Sequence, residues 1–324
     1  MTGRVIVVGS YVQDHAWFCD VFPQRGETRV ATGFNSGPGG KGFNQAIACR
    51  RQGIDTLFIG SIGDDMLGRI AREFARDEGL DARWQMQADA PTAASSIVVD
   101  ARGENRIVVS LGANLRLDPA FVRAGFTGLS DLRLVLCQLE TNLDAVDAAF
   151  DSATALGALR MLNPAPMHAD FDTAMLERVD ILTPNETEFA LLSKRYDHDD
   201  VDADALAGLD DATLHRLVRR LPLRTTVVTL GAHGCFFSHA EDWRGDAAPF
   251  YRIGPESVRA IDSTGAGDAF SGALAAALLR LREFPFAKAA RHANRAAALC
   301  TEAVGTAPIM PSFAQVASRF GDTA

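Results

Sequence analysis

The sequence is short of everything that would commit it to a covalent or metal-held scaffold. Cysteine is sparse: Cys19, Cys49, Cys137, Cys235 and Cys300 are scattered, odd in number and form no C-x-x-C pair. That excludes a disulfide framework and a zinc ribbon, and fits buried free thiols in a reducing cytoplasm. The seven histidines show no metal-ligand spacing. Positive charge is in deficit, with 32 Lys and Arg against 41 Asp and Glu, a formal net charge of −9 and a pI near 5.3. Gripping nucleic acid or anionic lipid needs a basic face, so neither is expected as a partner, and a small molecule is. No apolar run approaches the roughly 20 residues of a membrane span, and "RVIVVGS" follows the first residues with no basic-then-apolar leader. The sequence shows no internal repeat, linker or low-complexity segment, although residues 194–211 are strongly acidic.

At 324 residues and 47% hydrophobic content, the chain can build one large α/β domain with an appendage or two ordinary domains. Short β-branched runs alternate with helical patterns: "VIVVG" (5–9), "NQAIACRRQG" (44–53), "TLFIGSIG" (56–63) and "MLGRIAREFARDEG" (66–79). Further buried strands are predicted at 133–140, 159–166, 179–185 and 224–231. This alternation predicts parallel strands joined by crossover helices, with ligands at the carboxyl ends of the strands. Two segments break the rhythm. Residues 95–110 read as a β-hairpin and 11–37 as extended, turn-rich chain, together a small sheet covering a cleft.

"DSTGAGDAF" (262–270) carries the most information. A helix starting near Gly265 would aim unpaired amides and a positive dipole end at one point, where Gly-Ala-Gly leaves room for an anion. Asp268 in its first turn could take a proton from an attacking hydroxyl, with Asp262 facing the same cleft. Equally, Asp262 caps a turn and Asp268 complements the helix dipole. "SGPGGKGFNQA" (36–46) is no Walker A loop, because Asn35 stands where the first glycine is required and Gly42 where Ser or Thr is. "GSYVQD" (9–14) lacks the G-x-G-x-x-G of a dinucleotide fold. The stretch is either a flexible turn or a place where Lys41 and Asn44 meet a sugar or phosphate. In "TPNETEF" (183–189) Asn185 and Glu188 satisfy capping-box spacing, while a carboxylate at a strand's end could also hold magnesium through water. Glu140 closing "LVLCQLE" is a ligand contact or a solvated turn. "TLGAHG" (229–234) is a tight turn or a floor for a nucleotide.

Gly-Gly-Lys-Gly, Asn-Glu-Thr-Glu, Thr-Leu-Gly and Asp-x-x-Gly-Ala-Gly-Asp, in this order over nearly the whole chain, resemble the ribokinase-like carbohydrate kinase family. The resemblance implies one α/β domain over 1–324, a three-layer α/β/α sandwich with a small β-sheet lid from about 11–37 and 93–112. It implies transfer of the γ-phosphoryl group of ATP to a sugar's primary hydroxyl with Mg2+, D-ribose O5 first among acceptors. Asp268 matches the catalytic base, and Gly265, Ala266 and Gly267 the anion hole. Asp14, Gly39, Gly40, Lys41, Asn44, Glu140 and Asp262 match sugar-binding positions. Asn185, Thr229, Gly231 and Asn294 match ATP contacts, and Glu188 a water-mediated magnesium ligand. Asp262, Thr264, Cys300, Ala303 and Gly305 match a K+ site, and a homodimer through the lid is implied.

Three positions depart from the family's pattern. Val12 replaces an asparagine that bonds the sugar, Phe43 stands where a small residue is usual, and Ile309 replaces a serine near the K+ site. Phe43 as an apolar wall of the acceptor pocket would suit a nucleoside, so a nucleoside or other sugar kinase is the rival expectation. A catalytically silent sugar- or nucleotide-binding regulator and a nicotinamide-dependent oxidoreductase are the readings from other classes.

Overall fold

The computed structural model describes residues 3–168, 170–241 and 245–321. In chain order its strands are β1 (Arg4–Val8), β2 (Val12–Phe18), β3 (Gly33–Gly39), β4 (Asp55–Gly63), β5 (Asp81–Gln87), β6 (Ala94–Val99), β7 (Asn105–Ser110), β8 (Leu132–Cys137), β9 (Leu159–Leu162), β10 (Ile181–Leu182), β11 (Thr225–Thr229), β12 (Cys235–His239) and β13 (Phe250–Ile253). The α-helices are α1 (Lys41–Arg51), α2 (Met66–Asp77), α3 (Pro119–Gly125), α4 (Leu143–Ala155), α5 (Glu186–Asp197), α6 (Asp211–Val218), α7 (Ala266–Arg280), α8 (Phe286–Cys300) and α9 (Phe313–Phe320).

Pleating sends successive side chains of a strand to opposite faces, and β1 shows the consequence. Val5 and Val7 enter a core shared with α1, α2, α7, α8 and α9, whereas Ile6 and Val8 enter a second core shared with α3, α4, α5 and α6. The main sheet, ordered β13-β12-β11-β10-β9-β8-β1-β4-β5, therefore lies between two helical layers, the three-layer sandwich expected. It is parallel from β5 through β11. A separate four-stranded sheet, β3-β2-β6-β7, combines the hairpin expected at 95–110 with strands from the turn-rich segment before α1.

The sheet departs from the all-parallel expectation at one edge, where β12 and β13 run antiparallel. Gly231 (φ 49°) and Gly234 (φ 87°) turn the chain straight back after β11, so no crossover helix intervenes. β5 was also not foreseen, because its "DARWQMQ" pattern at the other edge mixes exposed and half-buried positions.

Two helices set the geometry of the strand ends. α7 is buried from Asp268 through Leu279, which its run of Ala, Gly and Leu permits. At Gly272 a Cβ would lie 2.5 Å from the Gln45 carbonyl oxygen and 2.6 Å from Ala48 Cβ, so α1 and α7 meet almost backbone to backbone. Arg51 at the end of α1 pairs with Glu78 at 2.6 Å and donates to the Pro308 and Met310 carbonyls at 2.9 and 2.7 Å. That ties the loop before α9 to the same helix.

Phe43 overturns the expectation built on it. Its side chain is fully buried beneath α1 rather than in a pocket wall, with ring centroids 5.2 Å from Tyr11, 5.5 Å from Phe58 and 5.9 Å from Trp84. Val12 is buried as well. Phe43→Ala should therefore behave as a core truncation, losing about 3–5 kcal/mol of unfolding free energy in urea. A loss below about 1 kcal/mol would remove Phe43 from the core.

Candidate functional site

The site forms where the carboxyl ends of the parallel strands meet the first turns of α1, α5 and α7. Gly265 precedes α7 with φ 79°, a left-handed conformation that disfavours any side chain, and a Cβ there would approach Met310 Cε to 3.1 Å. The Ala266 amide donates to the Ser263 carbonyl at 3.2 Å, so one amide of the expected anion hole is already engaged. Gly267 has nothing within 4 Å of where a Cβ would stand. Open space at a helix N-terminus is suited to an anion.

Asp268 is 7% exposed and both of its carboxylate oxygens are held. Oδ2 accepts from Asn44 Nδ2 and Oδ1 from Gln45 Nε2, each at 2.9 Å. Glu140 Oε2 accepts from Ser10 Oγ at 2.6 Å and from the Lys41 amide at 2.9 Å, which fixes the entrance to α1. Gly40 makes that entrance at φ 88°, where a Cβ would lie 2.6 Å from the Val12 nitrogen. Burial would lower the pKa of the Lys41 ammonium, but Asp268, Glu140, Glu188 and Asp14 outweigh it, and the net direction is upward. Lys41 is therefore a held cation among carboxylates.

Asn185 and Glu188 form the capping box predicted from spacing. Asn185 Oδ1 accepts from the Glu188 amide at 2.8 Å, and Glu188 Oε2 accepts from the Asn185 amide at 2.9 Å. Burial raises the Glu188 pKa, against the Asn185 amide and Lys41, while Asp268 and Glu186 reinforce the rise. The cap does not remove these residues from the cleft, because both line a cavity of about 210 Å³ with Lys41, Thr229, Gly265, Gly267 and Asp268.

Two larger cavities adjoin it. One of about 560 Å³ is lined by Asn185, Thr229, Gly231, Gly267 and Asn294 with apolar surface from Val258, Phe270 and Ala297. The other, about 520 Å³, lies between the small sheet and the loops around Asp262 and Gly305, with Asp14, Phe18, Ile97, Val99 and Thr264 in its wall. Ser263 lines all three. Asp14 Oδ1 accepts from Ser95 Oγ at 2.6 Å and Oδ2 from Thr306 Oγ1 at 3.3 Å. Gly39 is its close neighbour, since a Cβ there would meet Asp14 Oδ2 at 2.0 Å. Asp262 bridges two loops, accepting from the Thr264 amide at 2.9 Å and the Gly305 amide at 3.3 Å. Of the five K+-site positions, Thr264, Asp262 and Gly305 meet there, and Cys300 and Ala303 lie on the chain leading into Gly305, joined by an Ala303 amide to Cys300 carbonyl bond of 3.4 Å. Among the described residues no cluster of three or more His, Cys, Asp or Glu could hold a metal by itself.

Sequence reasoning missed the supports: Ser10, Gln45, Ser95, Gln138, Asn163 and Thr306. The available signal was position, since Gln138 and Asn163 follow strands directly and Gln45 is a buried polar residue on a helix whose buried face is otherwise mostly small or apolar.

A largely parallel α/β/α sandwich with cavities in series along its strand ends, one at a glycine-led helix start beside a buried aspartate, is the ribokinase-like class of small-molecule-binding fold. The chain belongs to the pfkB family of carbohydrate kinases, whose pattern matches residues 2–312. It is 33% identical over 319 residues to the ribokinase of Haemophilus influenzae, with 96% of each chain covered. Its fold matches ribokinase of Giardia lamblia with a TM-score of 0.87 at 30% identity over 100% of both chains. It matches Arabidopsis thaliana ribokinase complexed with ribose and ATP with a TM-score of 0.80 at 25% identity over 98% of both. No helix among the described residues is long and apolar enough to cross a membrane.

Burial pushes the Asp14 carboxyl up to about 6, against the Ser95 and Thr306 hydrogen bonds, and Glu140 and Asp268 add to the rise. A carboxyl whose pKa is raised by folding costs stability where it is ionised, above about pH 6, and the cost is relieved as pH falls through 6. The urea stability of Asp14→Asn relative to the parent should therefore improve by about 1–2 kcal/mol between pH 5 and pH 8. An offset independent of pH would refute the raised carboxyl.

Proposed function

We propose that the chain is an ATP-dependent kinase that phosphorylates O5 of D-ribose, giving D-ribose 5-phosphate and ADP. The observation that carries this reading is the series of three adjoining cavities with Asp268 at the wall of the middle one. Similarity to ribokinases over nearly the full chain supports the acceptor. The 560 Å³ cavity takes the nucleoside of ATP, its apolar wall of Val258, Phe270 and Ala297 against the base, and Asn294, Thr229 and Gly231 beside it. The triphosphate runs into the 210 Å³ cavity, where Lys41 and the first turn of α7 receive its terminal charge. The sugar occupies the inner end of the 520 Å³ cavity. Asp14 and Asp262, which line that cavity, and Glu140, held at the α1 entrance, are the acceptors proposed for its hydroxyls, with Asn44 and the amides of Gly39 and Gly40 as the donors proposed for them and the small sheet as a lid.

Asp268 accepts the proton of O5 as that oxygen attacks the γ-phosphorus. The O5–P bond forms, the bond from the γ-phosphorus to the β,γ-bridging oxygen breaks, and ADP leaves with the bond's electrons. Lys41 and the amides of Gly267 and Asp268 stabilise negative charge on the phosphoryl oxygens. Magnesium fits this donor set: Glu188 is a desolvated carboxylate raised further by Asp268 and Glu186, a cavity wall short of positive charge, and phosphates with waters complete such a shell. When bound, it neutralises phosphate charge. A K+ ion is proposed at the loop junction of Asp262, Thr264, Cys300, Ala303 and Gly305, where Asp262 accepts from the Thr264 and Gly305 amides and borders the sugar cavity. The five free cysteines, all buried, support a cytoplasmic setting.

Asp268→Asn should keep binding ATP and ribose while losing about 10²- to 10⁴-fold in kcat. ATP consumption with magnesium should be fastest on D-ribose in a panel with 2-deoxyribose, fructose and nucleosides, and faster in KCl than in NaCl. Turnover restricted to nucleosides would replace the acceptor, and an unaffected Asp268→Asn would remove the base.

The lid also supports a homodimer. β7 is an exposed edge strand, and Ile107, Val108, Val109 and Phe34 present apolar surface on the same small sheet. Sedimentation velocity should give a dimer, and Val108→Lys should shift it toward monomer. A parent protein that sediments as a monomer at micromolar concentration would refute this interface.

A further inference from the structure

Beneath Asp268 lies a chain of side-chain amides, of which Asn163 borders the 210 Å³ cavity while Gln45 and Gln138 line none of the three cavities. Gln138, Asn163 and Thr183 stand just beyond the ends of β8, β9 and β10, and Gln45 on α1 joins them to the aspartate. Gln45 Nε2 donates to Asp268 Oδ1 at 2.9 Å and to Asn163 Oδ1 at 3.0 Å, and Gln45 Oε1 accepts from Gln138 Nε2 at 2.6 Å. Asn163 Nδ2 donates to the Thr183 carbonyl at 2.8 Å. Gln45 and Gln138 are both fully buried.

The polarity of this chain is dictated from one end. A backbone carbonyl only accepts, so Asn163 must turn its NH2 toward Thr183 and its oxygen toward Gln45. Gln45 must then present NH2 to both Asn163 and Asp268, and its oxygen faces Gln138, which has to donate. Rotating any amide by half a turn would set oxygen against oxygen in a dry interior.

The cost of this arrangement is visible. Asn44 Oδ1 and Gln138 Oε1 are among the few buried side-chain atoms without a partner among the described residues. Both belong to amides whose donors are turned toward Asp268, directly for Asn44 and through Gln45 for Gln138. Unsatisfied buried acceptors are not what stability alone selects. We infer that Gln45 is a positioning residue for phosphoryl transfer: its amide, locked by Asn163 and Gln138, fixes the plane of the Asp268 carboxylate so that a lone pair stays aimed at the acceptor hydroxyl.

This inference rests on Asp268 as the base, and a double-mutant cycle separates the two claims. Gln45→Met keeps the shape of the side chain and removes both hydrogen-bonding functions. It should lower kcat by about 10- to 100-fold, the usual range for a residue that orients a site ligand, while the KM values for ATP and ribose stay within about twofold. In the Asp268→Asn background, the same substitution should cost less than about twofold, because a residue acting through Asp268 has nothing left to position. A merely structural role predicts losses that multiply. Gln45→Glu, equal in size but facing Asp268 with an acceptor, should lose more kcat than Gln45→Met. If Gln45→Met folds poorly, Gln138→Met tests the chain one link further out, with a kcat loss of several-fold and unchanged KM. Multiplicative losses, a loss confined to KM, or parent-like kcat in Gln45→Met or Gln138→Met would overturn the inference. Undiminished turnover in Asp268→Asn alone would instead overturn the assignment of the base on which it stands.

Discussion

The close crossing of α1 and α7 is the constraint on which the site depends. Because Gly272 leaves room for the α1 backbone, the two helix starts converge, and Asn44 and Gln45 reach Asp268 although more than 220 residues separate them. A helix buried from Asp268 through Leu279 cannot carry large side chains on every face, which accounts for the Ala-rich composition of "SGALAAALL". The same crowding continues outward. Gly40 and Gly42 admit the α1 entrance against Val12 and Ser10, and Arg51 pins the 308–310 loop to the far end of α1. Sequence economy in these stretches is therefore packing geometry first, and chemistry becomes available as a consequence.

Electrostatics then explains why the cleft is poised rather than relaxed. Asp14, Glu140, Glu188 and Asp268 surround Lys41, and burial opposes the charge on Asp14, Glu188 and Lys41. Each carboxylate is held by fixed donors: Ser95 and Thr306 for Asp14, Ser10 and the Lys41 amide for Glu140, Asn44 and Gln45 for Asp268, and the Asn185 amide of its own helix cap for Glu188. Fixed donors allow negative groups to stand close together, yet one lysine does not balance four acids. A cleft with surplus negative charge would repel a bare triphosphate, which favours the proposed reading that the nucleotide brings its own cation and that the α7 dipole faces its terminal phosphate.

The order of elements, the small sheet and the positions around Asp268 were legible in the sequence, because glycine punctuation, strand-end carboxylates and the hairpin signal are local. Four things were not, the first being edge strand β5, whose mix of exposed and half-buried positions hides its pattern. The antiparallel edge β12–β13 depends on a turn geometry that two glycines permit but do not specify. Phe43 read as a pocket wall, since a one-dimensional pattern cannot tell which side of α1 a residue next to Asn44 will occupy; the structure turns it into an aromatic cluster with Tyr11, Phe58 and Trp84. The amide chain was invisible because its members lie on different elements, each with a polar residue that alone looks like a strand end or a helix interior.

Phe43 also bears on the acceptor. The argument for a nucleoside needed an apolar surface next to the GGKG turn, and with the ring in the core that surface is absent there. The apolar part of the 520 Å³ cavity comes instead from Ala16, Phe18, Ile97 and Val99 of the small sheet and from Ile261, Val304 and Pro308 of the facing loops. Asp14 stands on β2 of the same small sheet, bonded to Ser95 on β6 and to Thr306, whereas Glu140 and Asp262 are tied to α1 and to neighbouring loops by hydrogen bonds. The proposed hydroxyl acceptors are thus held by hydrogen bonds on both the small sheet and the strand-end loops, and the apolar surface shares the same cavity. That arrangement suits a polyol whose binding depends on several fixed acceptors, with the small sheet excluding water rather than selecting a base.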